Sequence, residues 1–158
     1  MPRPTKARKV GFVPTVTYFK PVGIELTGLD EVQLGIDELE ALRLKDFLGM
    51  EQQECAEQMN LAQSSFQRIL ALARSKVAYA LVEGLPIRIE GGNYQVFVPW
   101  VCRACGHEWE ALLPETELSQ RCPSCASEQT ENLWHRCNFG GPPPWARARR
   151  GRYRGGRG

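Results

Sequence analysis

Long apolar runs and catalytic signatures are both missing from this chain of 158 residues. No apolar run approaches the roughly 20 residues that a membrane span requires, and no apolar segment with a cleavage site follows the basic N-terminus, as it would in a secretory signal. There is no phosphate-binding loop, no nucleophile elbow and no carboxylate pair spaced for acid–base catalysis. We therefore expect a soluble, cytoplasmic protein that is not an enzyme.

Acidic residues are absent from three parts of the chain, and this is more informative than the net charge of +2. Residues 1–20 carry five basic groups and no acid, and residues 141–158 carry six arginines and no acid. Residues 61–82 also lack acids, whereas residues 21–60 carry ten acidic and two basic groups. This segregation predicts nucleic-acid contact at both ends and along 61–82, with the acidic block of 21–60 facing away.

A helix-turn-helix is predicted for residues 52–72, QQECAEQMNLAQSSFQRILAL. Five apolar side chains occupy the positions that pack between two helices crossing over a short turn. They are Cys55, Met59, Leu61, Phe66 and Ile69. Ala56 supplies the small side chain where the helices approach most closely, and Asn60 tolerates the positive φ that the turn requires. Such a unit presents its second helix to a DNA major groove.

The exposed face of that second helix carries the predicted DNA contacts. Its first turns hold side chains that can donate to or accept from base edges and phosphates; these are Gln63, Ser64, Ser65, Gln67 and Arg68. Further cationic contacts are expected from the rest of the helix and from the N-terminal segment, namely Arg74, Lys76, Arg3, Lys6, Arg8 and Lys9. The alternative is a helical bundle that binds no DNA, because its helices can have the same spacing.

Shorter elements are expected before this unit. Residues 1–9 are predicted to form a flexible arm that contacts phosphates or the minor groove, or alternatively a solubilising tail. Residues 10–19 favour an edge strand or an extended segment, and Val32–Leu34 favours a short strand. A first helix is expected to have Asp37 as its N-cap and to end at Gly49.

The second helix of the unit is predicted to continue far beyond an ordinary recognition helix. Apolar side chains repeat every three or four residues until Gly84. They are Phe66, Ile69, Leu70, Ala73, Val77, Ala80 and Leu81. This stripe predicts core packing, with a short coiled-coil dimer seam as the alternative.

The first 92 residues resemble a known family. The segments MPRPTKARKV, TYFKPVGI, IDELEALRLKD, SSFQRILALARSKVAYALVEG and RIEGG are together similar to the Domain of Unknown Function 134 family. The resemblance implies a prokaryotic protein predicted to bind DNA through a helix-turn-helix like that of region four of sigma factors. It implies no catalytic residues.

Two helix starts depart from the pattern of that family. Ala62 and Gln63 stand where the family usually has a serine cap and then an arginine, and Glu51 stands where a serine usually caps the preceding helix. Loss of a cap costs about 1 kcal/mol. Ser64 is therefore expected to become the cap, which would start the recognition helix two residues later.

Two Cys-x-x-Cys pairs predict a metal site. Cys102 and Cys105 are separated from Cys122 and Cys125 by sixteen residues, and two such knuckles offer four thiolates to one tetrahedral ion. A zinc ribbon is the favoured interpretation, and iron in a four-sulfur site is the alternative because thiolates suit both metals. Four cysteine ligands leave no position for a reactive water, so we expect a structural site.

The remaining cysteine and histidine residues are expected to have lesser roles. Cys55 should act as a small hydrophobic side chain in the core. His107 should lie on the surface or support the metal ligands. His135 and Cys137 have the spacing of a second metal half-site, but no partner for them is evident, so metal binding there is the less favoured interpretation. A strand at residues 94–101 is expected to lead into the metal site.

The sequence thus predicts a mainly α fold. Residues 1–9 form the arm, 10–92 a helix-turn-helix domain of the sigma region-four kind, 93–139 a small β zinc ribbon and 140–158 a disordered Arg/Gly-rich tail. We expect a transcriptional regulator that binds double-stranded DNA, carries Zn²⁺ and can form a homodimer. The alternatives are a zinc-ribbon adaptor that binds RNA polymerase, or a protein that binds RNA or single strands through its tail.

Overall fold

The structure is a computed structural model that describes residues 6–25, 27–28, 30–112 and 121–133. The elements in chain order are β1 (Arg8–Val10), β2 (Tyr18–Phe19), β3 (Val32–Leu34), α1 (Ile36–Leu42), a π-helical turn (Arg43–Phe47), α2 (Gln52–Gln58), α3 (Gln63–Glu83), β4 (Ile87–Ile89), β5 (Tyr94–Cys102), β6 (Glu108–Leu112) and β7 (Thr130–Asn132). Across these residues, none of the helices has the length and apolar character needed to cross a bilayer.

The prediction of a mainly α fold is wrong. The described residues contain three α-helices and two mixed sheets, with 24% strand, so the fold is α/β. One sheet has the order β2-β4-β3, and the other has the order β1-β5-β6 with β7 also paired to β5. Most of these strands are short, and partners such as Arg8 and Tyr94 lie far apart in sequence. A local pattern cannot reveal such pairing, and the helices therefore dominated the prediction.

Strand β1 connects the helix-turn-helix to the strand that carries Cys102. Arg8, Lys9 and Val10 run parallel to the start of β5. The backbone N–H of Lys9 also donates to the carbonyl of Met59, at the end of α2, over 3.0 Å. Two residues assigned to the flexible arm, Arg8 and Lys9, are therefore strand residues. Arg3 lies outside the described residues.

The helix-turn-helix packs as its spacing predicts. Helices α2 and α3 meet over a turn in which Asn60 has a φ of 57°. One core cluster contains Ala41, Leu44, Cys55, Ala56, Met59, Phe66 and Leu70, and the half-buried Leu61 and Ile69 pack against it. Complete burial of a side chain the size of Phe66 contributes about 1.5–3 kcal/mol. This core fixes how α3 is presented.

Both predicted helix N-caps are wrong by two residues. Helix α1 has Gly35 rather than Asp37 as its N-cap, because the carboxylate of Glu38 accepts the backbone N–H of Gly35 over 2.9 Å. Helix α3 begins at Gln63 after Ala62, so Ser64 does not take over as the cap. Packing explains the second result, since starting α3 later would displace side chains of its first turns from the core.

A second core cluster lies between α3 and the strands, and it contains Val10, Leu34, Ile36, Ala73 and Ile89. Gly84 ends α3 with a φ of 65°, as expected. The prediction that Leu81 belongs to the core is wrong, because this side chain is 75% exposed. It lies about 100° around the helix from the buried Ala80 and so faces outward.

Candidate metal centre and candidate nucleic-acid interface

The four cysteines of the predicted metal site converge beside the ends of β5 and β7. Their Sγ atoms all lie within 4.8 Å of one another, with 3.6 Å between Cys102 and Cys125 and 3.6 Å between Cys105 and Cys122. An ion with four tetrahedral bonds of about 2.3 Å places its sulfur ligands about 3.8 Å apart. The cluster therefore has the geometry to hold one metal ion.

The two Cys-x-x-Cys knuckles have the same backbone pattern. Cys102 and Cys122 each donate their N–H to the carbonyl five residues later, over 2.9 and 3.0 Å. Their own carbonyls accept the N–H groups of Gly106 and Ala126, over 2.8 and 2.9 Å. Gly106 has a φ of 76° and Ala126 a φ of 59°. Each knuckle thus needs a left-handed residue after its second cysteine, and Ala126 adopts this conformation with a strain that glycine avoids.

The ionisation of the sulfurs favours a bound cation. Burial raises the pKa of the Cys102 thiol, but backbone N–H groups of Cys105 and Ala104 donate to its sulfur and the net pKa falls to about 7. The N–H of Ser127 lowers the pKa of Cys125, yet the neighbouring sulfurs outweigh it and raise this pKa to about 12. The close approach of the sulfurs thus opposes the ionisation of Cys125, and a bound metal ion would supply the positive charge that offsets this effect.

The other cysteine and histidine residues that the structure describes, Cys55 and His107, do not join this cluster. In the described part of the chain, no histidine or carboxylate joins the four sulfurs. The ring of His107 is exposed and stacks on Trp109, with 5.9 Å between ring centroids. Cys55 is completely buried in the helical core, as predicted. His135 and Cys137 lie outside the described residues.

The first turns of α3 expose most of the predicted DNA contacts. Gln63, Ser64, Gln67 and Arg68 are exposed, and Ser65 is half-buried. Arg68 forms neither an ion pair nor a hydrogen bond with any described residue. Within the described part of the chain, its guanidinium is therefore unpaired.

The two later cations of α3 are held by carboxylates. Arg74 donates to Asp46 over 2.6 and 3.0 Å, and Lys76 donates to Glu38 over 2.8 and 2.9 Å. The hydrogen bond from Arg74 also holds the pKa of Asp46 below its usual value. Arg74 and Lys76, both predicted DNA contacts, therefore differ from Arg68 in having carboxylate partners within the protein.

The described cations of the N-terminal segment differ in the same way. Arg8 donates to Asp37 over 2.8 Å, and the ammonium of Lys9 pairs with Glu110 on β6. Lys6 is exposed and has no ion pair to a described residue. Of these three residues, only Lys6 remains exposed and unpaired within the described part of the chain, as expected for a basic arm.

Carboxylates of the acidic block of 21–60 pair with basic side chains of the same fold. Five of its carboxylates accept hydrogen bonds from arginine or lysine side chains, namely Glu31, Asp37, Glu38, Glu40 and Asp46. The three acids on α1 are at most 9% exposed. These buried pairs are not evident from the sequence, because acids on an amphipathic helix normally indicate its exposed face. The expectation that the block faces away as a unit is therefore wrong.

Comparisons with known proteins identify the family. A family described as "Protein of unknown function DUF134" matches residues 1–97. A "UPF0251 protein" of Moorella thermoacetica is 53% identical over 130 residues, covering 82% of this chain and 85% of the relative. Another, of Desulforudis audaxviator, is 49% identical over 139 residues, covering 87% and 90%. No solved structure matches the chain. The protein therefore belongs to the DUF134 family, whose curated relatives are called UPF0251 proteins.

Proposed function

We propose that this protein is a sequence-specific DNA-binding protein, and a prokaryotic transcriptional regulator, that inserts the first turns of α3 into the major groove. The observation that supports the proposal is the contrast among the cations of α3. Arg68 has no described partner and lies one turn after the exposed Ser64, whereas Arg74 and Lys76 are paired with carboxylates. Arginine, hydroxyl and amide side chains exposed on the first turns of a helix suit base edges and phosphates.

The start of α3 gives further support. The N-cap residue of α3 is Ala62, whose side chain cannot accept a hydrogen bond. The backbone N–H groups of the first turn therefore lack a side-chain acceptor. A DNA phosphate would accept these N–H groups and interact favourably with the positive end of the helix dipole. Arg68, one turn further along, would then lie beside the groove. The missing serine cap is consistent with an anion taking its place.

The test compares two exposed arginines of the same helix. Arg68→Ala and Arg74→Ala each remove one guanidinium, and only the first is free of a carboxylate partner. Affinity of the full, metal-loaded chain would be measured by fluorescence anisotropy, on duplexes recovered by selection from random DNA. We expect Arg68→Ala to weaken specific binding by about 1–3 kcal/mol. Arg74→Ala should change the affinity by less than about 0.5 kcal/mol.

Three outcomes can be told apart. A loss confined to the selected duplex supports base contact by Arg68. An equal loss on selected and random duplexes reassigns Arg68 to a phosphate. No loss from Arg68→Ala, or failure to select any motif, contradicts insertion of α3 into the groove.

We propose zinc as the ion of the four-cysteine site, with a structural role and no catalysis. Zn²⁺ prefers four tetrahedral thiolates in such closed sites, which hold no reactive water. Elemental analysis of the purified chain is the test, and Cys102→Ser should release the metal. Iron at this site would be detected by the same analysis and by visible absorption of its thiolates.

A second candidate function is an adaptor that binds the transcription machinery. The C-terminal half of α3 exposes Tyr79, Leu81 and Val82 by 57%, 75% and 82%, and Phe19 nearby is 54% exposed. Phe19 and Leu81 help to line a groove of ≈ 260 Å³. Apolar patches of this kind favour a protein partner, such as RNA polymerase or a second copy of the chain. Capture of polymerase without any selected duplex would favour the adaptor.

A third partner, RNA or single-stranded nucleic acid, depends on residues 140–158, which lie outside the described residues. Deletion of residues 141–158 tests it. Motif-free, salt-sensitive binding that disappears with this deletion would assign binding to the Arg/Gly-rich segment.

A further inference from the structure

The side chain of Gln67 is held by a residue of the neighbouring helix. Its Nε2 donates to Oε1 of Gln52, the first residue of α2, over 2.9 Å. Gln67 is exposed and Gln52 is half-buried, so the contact lies at the rim of the face that α3 presents to solvent. A hydrogen bond at this place restricts the rotamers of an otherwise free side chain.

The contact leaves a defined set of hydrogen-bonding groups on Gln67. A carboxamide has two N–H donors and one carbonyl oxygen. Gln52 accepts from the Nε2 amino group, which has a second N–H, and the carbonyl has no partner among the described residues. When Gln52 accepts the N–H that lies trans to the carbonyl, Gln67 presents its other N–H and its carbonyl oxygen side by side, in the plane of the amide.

Adenine has the matching arrangement in the major groove. Its N7 accepts and its N6 amino group donates, so a carboxamide forms two hydrogen bonds with it. Guanine presents two acceptors at these positions, thymine a carbonyl and a methyl group, and cytosine an amino group. A pre-oriented carboxamide is thus complementary to adenine and to no other base in this bidentate manner.

We propose that Gln67 determines specificity for an adenine in the DNA site, and that Gln52 is the residue that positions it. The inference rests on the proposed DNA-binding function and names the base recognised there. Gln63 has the same chemistry and is exposed, but it has no hydrogen-bond partner among the described residues. Its ordering on DNA would cost conformational entropy that the Gln52 contact has already removed from Gln67.

The experiment measures base preference instead of affinity alone. A motif would be selected with the full, metal-loaded chain, and binding would then be measured for duplexes that carry each single-base change. Gln67→Ala should lower the preference for adenine at one position by about 10-fold or more and leave the other positions unchanged. Gln53→Ala is the control, because Gln53 lies next to Gln52 on α2 and its hydrogen bond goes to Glu57 of the same helix.

Variants of Gln52 test the positioning role. Gln52→Ala should reduce the preference for adenine at the same position by a smaller factor. The double variant, with both Gln52 and Gln67 replaced by alanine, should show the same adenine preference at that position as Gln67→Ala alone. Gln52 can have no positioning effect once the carboxamide that it positions is removed. Gln52→Glu keeps an oxygen acceptor for Nε2 and should retain the adenine preference, even where its charge weakens binding to every sequence.

The outcomes separate this inference from the proposed function. If the unmodified chain selects a motif and Gln67→Ala keeps the same base preference at every position, the role of Gln67 is overturned but the DNA-binding function is not. A Gln52→Ala variant that weakens all duplexes equally, with its adenine preference intact, overturns positioning. Absence of any motif with the unmodified chain overturns the DNA-binding function and this inference together. Thermal unfolding of each variant shows whether the fold is retained.

Discussion

Replacing Arg8 by alanine should destabilise the protein, because this residue neutralises a buried carboxylate. The side chain of Asp37 is 7% exposed and that of Arg8 is 23% exposed, and they are 2.8 Å apart. Gly35 and Gly92 crowd the carboxylate so closely that a Cβ at either position would collide with Oδ1. Asp37 therefore has little room to turn toward solvent once Arg8 is removed.

The magnitude follows from the burial of the pair. Removal of one partner of a fully buried ion pair costs about 3–5 kcal/mol. Because Arg8 is partly exposed and water could reach the space that it leaves, we expect a loss of about 2–4 kcal/mol in the free energy of unfolding. This is a large part of the stability of a typical domain, about 5–15 kcal/mol.

Urea unfolding of the metal-loaded chain, followed by circular dichroism, measures this loss. Lys9→Ala is the matched control, because Lys9 and Glu110 are 28% and 49% exposed and such a pair contributes at most about 1 kcal/mol. The double variant Arg8→Ala with Asp37→Asn should lose less free energy of unfolding than the sum of the losses in the two single variants.

A loss below about 0.5 kcal/mol for Arg8→Ala, typical of a surface substitution, would show that the stability of the fold does not depend on the pairing of Arg8 with Asp37. If that variant kept its stability and lost DNA affinity, Arg8 would instead act as the DNA-contacting residue that its sequence position suggested. The experiment therefore decides between a structural cation and a nucleic-acid contact.

Three further predictions concern helix α3 and the metal site. Ala62→Ser should raise the free energy of unfolding by about 1 kcal/mol, measured with urea, because it supplies the missing cap of α3; an unchanged value would contradict an uncapped start. Ala126→Gly should stabilise the metal-loaded chain by about 1 kcal/mol, because it relieves a φ of 59°; a lower thermal midpoint would contradict this. Chelation of the metal should remove hydrogen-exchange protection from β5, β6 and β7 but largely preserve it in α3; equal loss in both would mean that they unfold as one unit.

The sequence alone was sufficient for features that depend on local spacing. Two short apolar patterns around Asn60 predicted the helix-turn-helix, since residues three and four apart on a helix share one face. The spacing of Cys102, Cys105, Cys122 and Cys125 predicted their convergence, because each knuckle is a local turn and one ion needs four ligands. The family followed from five sequence segments.

Tertiary structure decided the features that depend on residues far apart in the chain. The pairing of β1 with β5 made Arg8 and Lys9 strand residues and changed the fold class to α/β. Long-range ion pairs also decided which of the described cations are paired, because Arg74 meets Asp46 only after α3 packs against the π-helical turn, whereas Arg68 forms no ion pair with a described residue. The type of each side chain and the spacing of apolar residues along a helix or strand can be read directly from the sequence. Which opposite charge or which strand lies opposite a residue is fixed only when the chain packs.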